Sequence, residues 1–198
     1  KNYSLIRGLL STKKTLLDRK FLNKFFDTKK YNLNLDNLQI KTESRFSLEV
    51  FKIFEIKNLN IDSKMNISNL IFNNFNKSLP KYLPTLKKDF ELVNQKINLQ
   101  IKNKELNLKG SGDLVIDDKK DKIDYKLEYK NKVLHFKIIA ELLNNIINIP
   151  ELNYTKNSNV ESSLKLVGKF SDISNIKFEE IKFESESNYI NALNLDIK

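Results

Sequence analysis

From Ile97 to Tyr129 most apolar residues of this chain fall on every second position. Ile97, Leu99 and Ile101 alternate with Asn98, Gln100 and Lys102, and Leu106 and Leu108 alternate with Asn107 and Lys109. Leu114 and Ile116 continue the phase after Gly110-Ser111-Gly112, and Ile123, Tyr125, Leu127 and Tyr129 repeat it. A period of two puts alternate side chains on opposite sides of an extended backbone, so each segment has one apolar and one charged face. That pattern predicts antiparallel meander sheet with one face in water.

The same alternation begins earlier. Tyr31, Leu33 and Leu35, then Leu38 and Ile40, then Phe46, Leu48 and Val50 read as short strands. Phe51 to Ile56 is denser, and Leu59, Ile61, Met65, Ile67 and Ile71 follow. Leu164, Leu166, Gly168 and Phe170, then Ile176 to Phe183, then Tyr189 to Ile197 complete the series. Gly110-Ser111-Gly112 predicts a bulge, since a phosphate loop would open a helix rather than another strand. Asp117 to Asp121 predicts a solvated hairpin turn, and Lys130-Asn131-Lys132 a second one. Ile138 to Ile149 fits a helix or an edge strand, ended by Pro150, and Thr155 to Glu161 reads as a polar loop.

Two segments carry helical spacing instead. Leu5, Leu9, Leu16, Phe21 and Phe25 predict an amphipathic helix over Tyr3 to Phe26 that covers the sheet or lies on a membrane surface. Leu83, Leu86 and Phe90 predict a turn and then a short helix near 84–92. The expected organisation is a helical segment, 1–30, and a single β-rich domain, 31–198. No apolar run reaches the length of a membrane helix. The chain starts at Lys1 and ends with Leu193, Leu195 and Ile197 still alternating, which predicts a segment of a longer protein.

Composition removes most chemistry. There is no cysteine, so no disulfide, thiolate metal site or cysteine nucleophile. His135 is the only histidine and reads as a packed or surface residue. Asp117 to Asp121 lacks the glycine and terminal glutamate of a calcium loop. Glu179, Glu180, Glu184 and Glu186 read as a polar strand face rather than a catalytic pair. The expectation is no enzyme, no metal and no cofactor. The net charge is +10, yet only Arg7, Arg19 and Arg45 are arginine among 35 basic residues. Arginine is the bidentate reader of phosphate and base edges. The abundance of Lys, Asn and Ile points to an AT-rich genome, so the lysines read as a solvated face and no nucleic-acid partner is expected.

An aliphatic face on about a dozen strands needs covering. Two sheets can pack face to face, one sheet can close into a barrel, or a sheet can curl into an apolar trough that holds something greasy. Here Leu33 to Ile40 (LNLDNLQI), Lys109 to Asp118 (KGSGDLVIDD) and Lys122 to Asn131 (KIDYKLEYKN) resemble strand units of the AsmA-like superfamily. Leu152 to Phe170 and Ile176 to Ile197 continue in that style. The resemblance covers Tyr31 to the C-terminus. It implies a mainly β, antiparallel meander curled into a groove or open barrel. It implies a periplasmic protein of a Gram-negative bacterium, anchored in the inner membrane through a helix outside this segment, that moves phospholipid between inner and outer membrane. No catalytic residues carry over. What does is a lipid-lining face: Leu33, Leu35, Leu48, Val50, Ile97, Leu99, Ile101, Leu106, Leu108, Leu114, Ile116, Leu127, Leu164 and Leu166. Two other readings remain at this point, a structural β-rich interaction domain with an ordinary core and a basic nucleic-acid-binding module.

Overall fold

The computed structural model describes residues 3–16, 33–34, 38–51, 55–73, 79–86, 89–172, 175–186 and 188–197. In chain order the strands are β1 (Tyr3–Ser11), β2 (Thr15–Leu16), β3 (Leu33–Asn34), β4 (Gln39–Phe51) and β5 (Ile56–Asn73). A single helical turn, α1 (Leu79–Tyr82), leads to β6 (Asp89–Lys102), β7 (Glu105–Ile116), β8 (Lys119–Lys130) and β9 (Val133–Glu141). A small hairpin of β10 (Ile147–Ile149) and β11 (Tyr154–Lys156) precedes β12 (Ser162–Asp172), β13 (Asn175–Ser185) and β14 (Asn188–Ile197).

The long strands form one antiparallel sheet that does not close, in the order β1-β4-β5-β6-β7-β8-β9-β12-β13-β14. Nearly every neighbour in the ladder is also a neighbour in sequence, as a meander requires. Two-residue turns make this possible. Asn103-Lys104, Asp117-Asp118 and Asn131-Lys132 all have positive φ at both central residues, the twist that a tight hairpin needs. Each hairpin turn is therefore shorter than the charge runs suggest: Lys119, Lys120 and Asp121 already belong to β8.

The four glycines take no part in these turns; none has a positive φ. Gly8, Gly110 and Gly168 lie directly opposite Phe46, Tyr125 and Phe136 in the ladder. A Cβ there would fall 2.5 Å from Phe46 Cζ, 2.2 Å from Tyr125 Cζ and 2.6 Å from Phe136 Cζ. Gly112 makes room for Gln95, whose amide lies 2.2 Å from the place a Cβ would take. Glycine is thus the floor on which a neighbouring aromatic ring or amide lies flat against the sheet.

Four sequence expectations change. Tyr3–Ser11 is a strand, not the start of a helix. Leu5, Ile6, Leu9 and Leu10 satisfy a helical stripe and a two-sided strand equally, and pairing along most of β4 decides for the strand. Residues 17–32, which hold the rest of the expected helix, lie outside the described residues. The helix near 84–92 is also displaced. α1 ends at Tyr82, before Leu83-Pro84, because a residue preceding proline avoids helical backbone. Phe90 and Leu92 instead pair with Ile116 and Leu114. The expected bulge at Gly110-Ser111-Gly112 falls on the opposite strand: the register shifts between Val93 and Lys96, with Asn94 at positive φ. Finally, the ambiguous stretch after Ile138 splits into the end of β9, a turn, and β10.

Candidate functional site: one apolar face and the cap that closes its end

The ladder carries the period-two pattern of each strand into rows that cross the sheet. One row runs Ile101, Leu106, Tyr129, Leu134, Phe170, Ile176 from β6 to β13. The next runs Leu99, Leu108, Leu127, Phe136, Gly168, Phe178, and the third Ile97, Gly110, Tyr125, Ile138, Leu166, Ile181. On β4 and β5 the face is interrupted. There the hydroxyls of Thr42, Ser44 and Ser63 form a closed triangle with sides of 2.9, 2.9 and 2.7 Å. Burial in the apolar rows pushes the Tyr125 phenol up to about 12.

No second layer packs on these rows among the described residues. Every substantial contact between elements joins strands paired in a ladder, or lies within the group formed by α1, β10, β11 and the 3-10 turn Pro150–Leu152. That group covers one end of the sheet. Leu86, Leu142 and Ile147 come down on Leu114, Ile116, Ala140 and Phe183, and Leu83, Phe90, Leu92, Ile123 and Tyr154 surround them. Tyr154 meets Phe183 edge-on at 6.0 Å. Lys81 of α1 pairs with Glu151, which also accepts from the Tyr82 hydroxyl at 3.0 Å.

Two buried charges hold this cap in place. Asp121 is 5% exposed and sits in the apolar phase of β8. Its Oδ1 accepts from the backbone N–H of Asn144 at 2.9 Å, and its Oδ2 from the N–H of Asn145 at 3.3 Å and from Asn145 Nδ2 at 2.7 Å. Lys156 is 2% exposed. Its Nζ donates to the carbonyls of Leu143 at 3.0 Å and Asn145 at 2.6 Å, and to that of Leu142. One carboxylate and one ammonium thereby satisfy the Asn144 and Asn145 N–H groups and the Asn145 carbonyl, and the ammonium adds to the bonds that the Leu142 and Leu143 carbonyls accept from the Ser162 hydroxyl and the Asn159 N–H. Burial lowers the Lys156 pKa, opposed by the Asp121 carboxylate, while Lys119 adds to the lowering.

Neither residue stands out in the sequence, which places Asp121 in a solvated turn and Lys156 in a polar loop. The available signal is phase: Asp121 stands where Ile123, Tyr125 and Leu127 predict an apolar residue.

The expected lining residues divide by depth. Leu114 and Ile116 belong to the core beneath the cap. Ile97 is buried, whereas Leu48, Val50, Leu99, Ile101, Leu106, Leu108, Leu127, Leu164 and Leu166 are half-buried. Leu33 stands opposite Phe72 in register, and Leu35 lies outside the described residues.

The other face is charged and largely self-neutralised. Lys126 meets Glu128 at 2.7 Å, Lys165 meets Glu180 at 2.6 Å, and Lys169 meets Glu179 at 3.1 Å. His135 lies on this face, exposed. Two depressions, of 870 and 610 Å³, are lined mainly by residues of this charged side: Arg7, Arg45, Asp62 and Lys102 in the first, and Asn107, Glu128, Lys130 and His135 in the second.

Asp113 is the most strongly held group there. Lys120 reaches it at 2.8 Å and Lys122 at 2.6 Å, and together with Asn94 they hold its carboxyl well below the usual carboxylate range. Its folded pKa is thus below its unfolded one. The stabilisation is complete above the unfolded value, about 4, and is lost as pH falls through the folded one. Urea titrations from pH 5 down to pH 2 are expected to show falling stability, with a shallower fall in Asp113→Asn. An equal slope in both would show that Asp113 carries none of the acid sensitivity.

No family model, curated protein or solved structure matches this chain.

Proposed function

We propose that this chain is a non-enzymatic, lipid-holding segment of an AsmA-like envelope protein. In this reading the sheet curls around its apolar rows to form a groove. Phospholipid acyl chains lie along it, the headgroup stays in water, and lipid passes between inner and outer membrane in the periplasm. An anchor outside the segment would hold the protein to the inner membrane.

The observation that carries the reading is a continuous apolar face, β6 to β13, with no second layer upon it among the described residues. Apolar side chains left half-buried in rows gain from an apolar ligand, at about 0.8 kcal/mol for each CH₂ removed from water. The cap supports the same reading. It seals one end with Leu86, Leu142 and Ile147. The row of Leu99 and Leu108 and the row of Ile101 and Leu106 lie beyond it.

The test is extraction of lipid from protein purified without detergent. Phospholipid is expected by mass spectrometry in near-stoichiometric amount. Leu99→Asp and Leu127→Asp are expected to lose most of it while remaining folded, because both side chains are only half-buried. A folded protein with no extractable lipid overturns the proposal.

A further inference from the structure

Arginine is rare in this chain, three residues among 35 basic ones, and the two that the structure describes come together. Arg7 and Arg45 both line the 870 Å³ depression on the charged face. Two neighbouring rows of the ladder wall it. One runs Arg7, Ser47, Asn60, Lys102 from β1 to β6, and the other runs Leu9, Arg45, Asp62, Gln100. Between them lie Gly8, Phe46, Ile61 and Ile101. Phe46, Ile61 and Ile101 turn their side chains to the apolar face and Gly8 has none, so backbone forms the floor. The depression opens on the face of the sheet, and a further strand beside β1 would leave it accessible.

Elsewhere the charged face neutralises itself, and here it does not. On the strands beyond, Lys130 meets Glu105 at 3.1 Å and Lys126 meets Glu128 at 2.7 Å. Arg7, Arg45 and Lys102 have no ion-pair partner among the described residues, although Asp62 stands directly opposite Arg45. Three cations and one carboxylate leave the depression with two net positive charges. Arg7 is diagonal to Arg45 across the β1–β4 ladder, and such neighbours are about 7–8 Å apart. Two planar forks at that spacing can grip one tetrahedral anion from two sides, whereas an ammonium acts as a point charge. Ser47 accepts from Asn60 Nδ2 at 3.3 Å and keeps its own hydroxyl hydrogen to donate. The exposed Gln100 side-chain amide has no partner among the described residues. The space is that of a small organic ligand rather than a bare ion. Two guanidinium charges match a phosphate monoester, which carries close to two negative charges at neutral pH.

We propose that Arg7 and Arg45 bind the phosphate of a small phosphomonoester, with Lys102 adding charge and Ser47 and Gln100 meeting its hydroxyls. The sheet separates this site from the apolar rows, so it does not depend on what those rows hold. The same phosphate chemistry can arrive on a soluble ester or on a monoester lipid in a membrane laid against this face.

Calorimetric titration of the full chain with α-glycerophosphate tests the soluble source. Flotation with phosphatidylcholine vesicles, with and without phosphatidic acid, tests the membrane one. Arg7→Lys and Arg45→Lys are each expected to weaken binding about tenfold, because lysine keeps the charge and loses the fork. Asp62→Asn is expected to strengthen it several-fold, because the carboxylate opposite Arg45 repels the anion. Lys96→Gln with Lys109→Gln, on the same face outside the depression, is expected to change nothing, which separates the site from the +10 charge of the whole chain. All five side chains are exposed, so the fold is expected to survive, checked by circular dichroism. Arginine dependence in the titration assigns a soluble ester, and the same dependence in flotation alone assigns a lipid headgroup. A folded protein that binds neither overturns the proposal. So does binding that survives both arginine substitutions, or that falls as much with Lys96→Gln and Lys109→Gln.

Discussion

Lys156→Met is expected to destabilise the protein by about 1–3 kcal/mol, the cost of a buried acceptor left without a donor. The methionine fills the space of the stem but leaves the carbonyl of Asn145 without its donor, while the Leu142 carbonyl keeps the Ser162 hydroxyl and the Leu143 carbonyl keeps the Asn159 N–H. At about 2–4 °C per kcal/mol for a domain of this size, the melting temperature is expected to fall by roughly 6 °C. Asp121→Asn is expected to cost less, since the amide keeps one acceptor for the Asn144 and Asn145 N–H groups. The two residues support the same turn, so the double variant is expected to lose less than the sum of the singles. Strict additivity would mean that the two charges act independently, and a Lys156→Met loss below about 1 kcal/mol would mean that the cap does not depend on Lys156.

Gly168→Ala carries the second large effect. Its new methyl would stand 2.4 Å from the backbone carbonyl oxygen of Lys177 and 2.6 Å from Phe136 Cζ. A carbonyl in the β12–β13 ladder cannot turn away without breaking that ladder, so overpacking is expected to cost about 1–3 kcal/mol. Gly110→Ala gives the control. The three nearest atoms to its methyl all belong to the Tyr125 side chain, which can rotate. A smaller loss is expected there, recovered in part by Tyr125→Leu. Urea denaturation of the parent, the two alanine variants and the double variant checks the order. Equal losses at Gly110 and Gly168 would contradict the difference between a mobile ring and a fixed carbonyl.

The sheet was legible wherever one face is apolar and the other charged. Ile97 to Ile101, Leu106 to Ile116 and Ile123 to Tyr129 announce both the strands and their phase, because a half-wet strand has only one solution. β1 was not legible. Tyr3, Leu5 and Leu9 occupy one phase and Ile6 and Leu10 the other, and two-sided apolar content is equally the mark of a helical stripe. The cap was hidden for a different reason. Lys156 and Asp121 are buried by a turn at 142–146 that is distant from both in the chain, and a charge satisfied by backbone groups looks in sequence like any surface charge. The glycines were legible only as strand interruptions. Their use beneath Phe46, Tyr125 and Phe136 depends on cross-strand register, which no local pattern encodes.

The central claim is that acyl chains lie on the apolar rows and not on the charged face. A phospholipid with a photoreactive group near the end of one acyl chain, loaded from vesicles and irradiated, tests it by the positions of the adducts. Adducts are expected at Leu99, Leu108, Leu127 and Phe136, which share one row, and not at Asn98, Lys109, Lys126 or Lys137 on the opposite side of the same strands. Adducts spread equally over both faces, or confined to the charged face, would contradict it.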